Sequence, residues 1–165
     1  MNWRQRIVGF GLGVAMIVGP ACGGDGGNKT TFAPPGAVDI NGFTYNEIFT
    51  CNETPAGGAA VCAENQAADV IQFTATGSST YEGRDVPDTG FVYTGTMSGL
   101  VLTWTAVSPN GYTESGSWTF AADGSTFSGA STYTANDASY TGHCNETGAR
   151  APAIPAAPAP VAPCM

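Results

Sequence analysis

The sequence predicts an all-β chain, an antiparallel up-and-down meander of about eight strands with barrel-like closure, and three observations carry that expectation. Runs in which apolar and hydroxyl side chains alternate recur between Gly42 and Asn145. Short turns rich in glycine, asparagine and aspartate separate them. No stretch longer than a turn or two sustains the 3.6-residue period of an amphipathic helix. An open curved sheet or a two-sheet sandwich satisfies the same pattern and stands as the structural alternative.

Taken in order, the expected strands are Gly42 to Thr50, Val70 to Thr76, Ser79 to Gly83, Phe91 to Thr96, Leu100 to Ala106, Tyr112 to Phe120, Thr126 to Tyr133 and Ser139 to Asn145. The first connection, Cys51 to Asp69, is long, and Ala63 to Ala68 within it has the composition of one or two helical turns. The others are tight: Gly77-Ser78, Asp85 to Asp88, Ser98-Gly99, Pro109-Asn110-Gly111, Asp123-Gly124-Ser125 and Asn136-Asp137. Asn-Gly and Asp-Gly supply the positive φ of hairpin turns, so sequence neighbours should pair antiparallel. The clearest alternation puts Tyr112, Glu114, Gly116, Trp118 and Phe120 on one face and Thr113, Ser115, Ser117 and Thr119 on the other. Leu100, Leu102 and Trp104 repeat the scheme against Thr103 and Thr105, as do Phe127 and Tyr133 against Thr126, Ser128 and Thr132. Hydroxyl-bearing outer positions keep strand propensity while staying soluble.

A weak repeat, an aromatic followed two positions later by glycine, occurs at Tyr81/Gly83, Tyr93/Gly95, Phe127/Gly129 and Tyr140/Gly142. Glycines on the inner face of a strand are relief points where a sheet can bend toward closure. The segment Trp118-Thr-Phe, Asp123-Gly, Phe127-Ser-Gly resembles the strand-turn-strand units of avidin-like and lipocalin-like meander barrels. That resemblance implies a barrel over Gly42 to Asn145 and brings no ligand residue with it.

The ends are of a different character. Arg4 and Arg6 precede an uncharged apolar run, Ile7 to Val18, and Gly19-Pro20-Ala21-Cys22 follows. This is the layout of a secretory signal peptide, and the run is too short for a bilayer core that needs ~20 residues. Its end resembles the lipobox of bacterial lipoproteins, with Gly19 where a lipobox carries a large aliphatic residue. The resemblance implies removal of residues 1–21, lipidation of Cys22, and, with Gly23 rather than Asp next, an outer-membrane destination in the bacterial envelope. Residues 22–36 read as a Gly/Pro-rich tether, residues 37–150 as the β domain, and residues 151–165 as a Pro/Ala-rich tail, extended or disordered.

After processing, Lys29, Arg84 and Arg150 are the only lysines and arginines against 13 acidic residues. That balance excludes a nucleic-acid partner and leaves the lipid anchor as the membrane contact. Setting Cys22 aside, Cys51, Cys62, Cys144 and Cys164 form an even set, which in an oxidising compartment reads as two disulfides with three pairings open. Cys51 with Cys62, bracketing a short loop, and therefore Cys144 with Cys164, is the favoured pairing; a free Cys164 thiol is the alternative. No C-x-x-C pair accompanies them and His143 is the single histidine, so neither zinc nor any other cofactor is expected.

Catalytic constellations are scarce. His143 and Cys144 are sequence neighbours in a strand and point to opposite faces, which is poor geometry for a nucleophile and base. Asp85, Asp88 and Asp123 lie at turns without the spacing of a calcium loop. Glu114 shares the inner face with Tyr112 and Trp118, where it is either a buried carboxylate among aromatics or a solvated residue at the rim; Glu47, Glu82 and Glu146 have no placed partner. A second acid beside Glu114 would favour a carboxylate-dependent carbohydrate hydrolase. Cys-Asn-Glu-Thr occurs twice, at 51–54 and 144–147, and its Asn-Glu-Thr matches a glycosylation sequon, which the resemblance to a bacterial lipoprotein discounts.

The expectation is therefore a non-enzymatic, envelope-anchored β module that binds a small ligand or a protein partner, with Tyr93, Trp104, Tyr112, Glu114, Trp118 and Tyr133 as candidate binding residues. A structural or surface lipoprotein with a filled core is the alternative, and an interior cavity smaller than about 300 Å³ counts for it. The anchor is tested by intact mass: in a Gram-negative host the membrane-fraction protein should begin at Cys22 and carry a diacylglyceryl group, and a processed chain without lipid refutes the anchor.

Overall fold

The computed structural model describes residues 36–86, 90–109 and 111–164. The leader, Cys22, the tether up to Pro35 and Asp88 lie outside the described residues. The chain forms β1 (Thr44–Pro55), β2 (Val61–Ala75), β3 (Thr80–Asp85), β4 (Val92–Ser98), β5 (Val101–Ser108), β6 (Tyr112–Phe120), β7 (Thr126–Ala135) and β8 (Tyr140–Arg150). Each strand pairs antiparallel with its neighbour in sequence, and β1 pairs with β8 from Tyr45↔Arg150 to Pro55↔Tyr140, so the sheet is a closed barrel. Among the described residues closure leaves no edge strand to pair with another chain, and it decides against the open sheet and the sandwich.

Inner positions carry the rings and outer positions the hydroxyls. Tyr45, Phe73, Tyr81, Tyr93, Trp104, Trp118, Phe120, Phe127 and Tyr133 are all buried. Each inward glycine lies directly opposite an aromatic on a neighbouring strand: Gly83 against Phe73 and Tyr93, Gly95 against Tyr81 and Trp104, Gly116 against Trp104, Gly129 against Trp118, Gly142 against Tyr133 and Gly148 against Phe127. A Cβ built on Gly148 would stand 2.0 Å from the Phe127 ring, and one on Gly142 2.0 Å from the Tyr133 ring. The glycines of the sequence repeat are thus seats for rings from the next strand, and the absent side chains make the room.

One mouth is stoppered by residues 36–43. Ile40 is fully buried and Val38 nearly so, Val38 N donates to Gly99 O, and Asn41 Oδ1 accepts from Ala75 N. Tyr45 Oη donates to Gly124 O in the β6–β7 turn, and burial pushes its ionisation far above the ordinary tyrosine value. Tyr81 donates to Asp39 Oδ1 at this mouth, and burial followed by the Asp39 charge pushes its pKa up to about 12.

Four features depart from the sequence reading. The Cys51–Asp69 connection is mostly strand: β1 runs on to Pro55 and β2 starts at Val61, so the expected helical turns at Ala63–Ala68 are strand residues. Helix propensity there is overridden by pairing, with register shifts beside Cys51 and a positive φ at Gln66 absorbing the extra length. Leu100 is exposed at the β4–β5 turn, and only Leu102 and Trp104 of that set face inward.

The disulfides are Cys51–Cys144 and Cys62–Cys164, not Cys51–Cys62 with Cys144–Cys164. Cys51 and Cys144 are register partners inside the barrel, whereas Cys62 pairs with Asn52 and is exposed on the outside. Cysteines close in sequence but on opposite faces of a wall cannot bridge.

The fourth concerns residues 151–164, which of the two expected states, extended or disordered, take the extended one and are docked. They run as an ordered strap along the outer wall over β1 and β8 and end at Cys62.

The ring-in-glycine packing is tested at Gly129, where an added Cβ would stand 2.0 Å from Ser117 O of the backbone. Gly129→Ala should destabilise the chain by about 3 kcal/mol, read as a lower urea midpoint. Ser128→Ala on the exposed face should change it by under about 0.5 kcal/mol.

Candidate functional site

All six candidate residues point into the bore, because β4, β5, β6 and β7 are in register with their inward positions aligned. The structure brings three into one ring cluster. Trp104 and Trp118 have centroids 4.6 Å apart, and Tyr93 lies 5.0 Å from Trp104 and 5.3 Å from Trp118. Tyr112 and Tyr133 meet at 5.8 Å nearer the far mouth, and Tyr133 Oη donates to Asn52 O. Rings also meet across the bore: Phe73 of β2 and Trp118 of β6 at 5.9 Å, and Tyr45 of β1 and Phe120 of β6 at 5.6 Å. Edge-to-face contacts at these separations are favourable aromatic packing, and they occupy the interior section.

Glu114 is 5% exposed, which settles it as a buried carboxylate and corrects the solvated-rim reading. One of its partners is a serine hydroxyl. Ser131 Oγ on β7 stands 2.6 Å from Glu114 Oε1 and 2.5 Å from Glu146 Oε1, and Trp118 Nε1 donates to Glu146 Oε2. Ser131 and Glu146 were missed in the sequence. Ser131 is hidden in a hydroxyl-rich run, and the expected last strand stopped at Asn145 whereas β8 continues to Arg150. The alternation Gly142, Cys144, Glu146, Gly148 on one face was the signal available.

Two acids therefore do stand together. The carboxylate oxygens of Glu114 and Glu146 and the Cys144 sulfur lie within 4.8 Å of one another, closer than the roughly 5–5.5 Å of a retaining glycosidase pair. Both acids are buried. Cys144 is in a disulfide and offers no thiolate to a metal. What the arrangement does chemically is tie β6, β7 and β8 through one shared hydroxyl. His143 is exposed on the outer face against Thr132 Oγ1, away from Cys144. Asp85 and Asp123 lie at opposite mouths; Asp123 Oδ1 accepts from Ser125 N, and the Ser125 hydrogen bonds hold its pKa below the ordinary value.

The outer wall carries the other built surface. Carbonyls of Ala153, Ala156, Ala159 and Ala162 accept from Asn46 Nδ2, Thr147 Oγ1, Asn145 Nδ2 and Asn52 Nδ2 at 2.6–2.9 Å. Pro155, Pro158, Val161 and Cys164 turn toward the barrel while the residues between them are exposed. Both series have a period of three, that of a polyproline II helix. Beside the strap, a groove of about 280 Å³ lies between Ile154 and Pro155 and the Ile48, Ala68 and Val70 positions of β1 and β2.

No protein-family model and no curated protein matches the sequence. Among solved structures, the chain is similar to mutants of the vaccine antigen Transferrin Binding Protein B from Haemophilus parasuis and from Actinobacillus pleuropneumoniae, each at 12% identity and a TM-score of 0.45. The matches cover 72% and 66% of this chain but 27% and 61% of those structures, so the chain spans less than two thirds of either. No residue role is taken from them, and the site rests on its own atoms. Ser131→Ala removes the hydroxyl between two buried carboxylates and should cost about 2 kcal/mol at neutral pH; an unchanged urea midpoint refutes the bridge.

Proposed function

We propose that this chain is an envelope-anchored, non-enzymatic β-barrel module, a packed scaffold that binds a protein partner through its outer wall. The observation that carries this reading is the meeting of rings across the bore, Phe73 with Trp118 and Tyr45 with Phe120. An eight-stranded barrel has an interior that side chains can fill, and here aromatic side chains fill the section where a small ligand would lie. The candidate residues Tyr93, Trp104, Tyr112, Glu114, Trp118 and Tyr133 then act as core. Their inward burial supports this role over direct contact with a partner.

The buried acids argue the same way against hydrolysis, since a glycosidase pair must be reached by a sugar ring and a water. Anchoring at Cys22 and an outer-membrane location complete the reading, and they rest on the leader. The three basic residues left after processing support a partner other than nucleic acid.

The experiment is uptake of apolar probes by the folded chain. Anilinonaphthalene sulfonate and a medium-chain fatty acid should leave the tryptophan emission unchanged and raise Tm by less than about 1 °C. Saturable tryptophan quenching together with a rise in Tm of several degrees places a ligand in the bore and overturns the scaffold reading.

A further inference from the structure

The two disulfides stand in different surroundings. Cys51 and Cys144 are register partners inside the closed wall, at 0% and 2% exposure. Cys62 is exposed near the start of β2, on the outside, and joins Cys164 at the end of the strap. Cys164 is itself buried, with its Sγ 3.0 Å from Cys51 O. Of these four cysteines, Cys62 is therefore the one open to a thiolate arriving from solvent, and access of that kind decides which disulfide exchanges.

What the outer disulfide holds is the strap. Strap carbonyls accept four side-chain hydrogen bonds from the wall, and those from Asn46, Asn145 and Thr147 are exposed to water. Such bonds give little net stabilisation, because water replaces either partner. Within residues 151–164 only Pro158 and Cys164 are buried. A polyproline II segment has no internal hydrogen bonds to lose and stays solvated when it leaves the wall. The bond at Cys62 thus secures the far end of the strap and keeps its effective concentration at the wall high.

We propose that Cys62 is a thiol-exchange site and that the Cys62–Cys164 disulfide is a reversible latch on the strap, opened by a low-molecular-weight thiol. The incoming thiolate attacks Cys62 Sγ and forms a mixed disulfide there. The Cys62–Cys164 bond breaks with its electron pair going to Cys164 Sγ, which takes up a proton from water and so balances the one the incoming thiol released. The new Cys164 thiol has an acceptor already in place, Cys51 O, so a weak S–H donor replaces a covalent bond. A second thiolate resolves the mixed disulfide at its non-protein sulfur, freeing Cys62 as a thiol and leaving the two small thiols joined as the oxidised product.

Opening the latch leaves the barrel closed, because β1 to β8 pair without the strap and Cys51–Cys144 stays enclosed. It uncovers the outward faces of β1 and β8, where Thr50, the register partner of Asn145, is 1% exposed. The outer wall then has two states, covered while Cys62 is joined to Cys164 and open once exchange has occurred. This goes beyond the scaffold reading and does not rest on a packed bore.

The test uses the full-length chain, folded and oxidised, in reduced glutathione at neutral pH. Samples are quenched in acid and their free thiols alkylated. Peptide mass should place glutathione on Cys62 and the alkyl group on Cys164, with the outer disulfide opening at least about tenfold faster than Cys51–Cys144. Equal rates for the two disulfides, no opening at Cys62, or glutathione on Cys164 overturns the exchange site.

Elastase, which cuts after small side chains, reads the strap itself. Residues 153–162 should resist it in the oxidised chain and be cut at least about tenfold faster after dithiothreitol at a dose that spares Cys51–Cys144. C62S/C164S should be cut at that faster rate without reductant while keeping the wild-type tryptophan emission. Equal cleavage of wild type before and after reduction overturns the latch. Probe uptake into the bore would remove the scaffold reading and change neither result, so the two failures are distinct.

Discussion

The rest of this structure depends on the seating of aromatic rings over glycines on adjacent strands. An eight-stranded barrel has an interior only as wide as its own side chains can fill, and this chain loads it with Trp, Tyr and Phe. Such a set fits only if the positions facing the rings are empty. The register supplies that, setting Gly95 between Tyr81 and Trp104 and Gly129 beside Trp118. Shifting one strand by a residue would turn its rings to solvent and its hydroxyls inward. The ring-and-glycine pattern therefore fixes register and curvature together, and burial of each large side chain, about 2–3 kcal/mol, rewards only one arrangement.

Much of this was legible because alternation is a local signal. Tyr112 to Phe120 reads as a half-buried strand from nine letters, and the structure gives β6 those bounds. What was not legible depends on partners distant in sequence. Cys51 and Cys62 are neighbours along the chain and nearly so in the β1–β2 register, but a pairing with Cys144 puts the first inside and a pairing with Cys164 puts the second outside. Glu114 alone could not disclose whether it was core or rim, since Ser131 and Glu146, which hold it, come from other strands. The Pro/Ala segment has the composition of a disordered chain because its hydrogen-bond donors, four side chains of β1 and β8, lie as far as 110 residues away.

The duplicated Cys-Asn-Glu-Thr string has a structural reason. Cys51 and Cys144 face each other across the antiparallel β1–β8 pair and join inside the barrel. In each copy the next residue, Asn52 or Asn145, points to the opposite face and donates to a strap carbonyl. Antiparallel pairing relates the two strings by a local two-fold axis, so one four-residue pattern locks the seam from within and grips the strap from without. A glycosylation sequon would be occluded at these asparagines, whose side-chain amides are already committed to the strap.

Burying Glu114 and Glu146 costs free energy that an apolar pair of similar shape would not. Yet the carboxylates occupy the region where β6, β7 and β8 converge beneath Tyr133, and their bonds to Ser131 and Trp118 are directional where apolar packing is not. An apolar substitution at Ser131 would leave the two acids without the hydroxyl that stands between them. The strap relies on positions set by that same register, since Asn145 and Thr147 on β8 flank Glu146 and point to the opposite face. An inward contact that fixes β8 by one residue thus decides whether the outer donors fall at the three-residue spacing a polyproline segment presents, which couples the closed core to the surface.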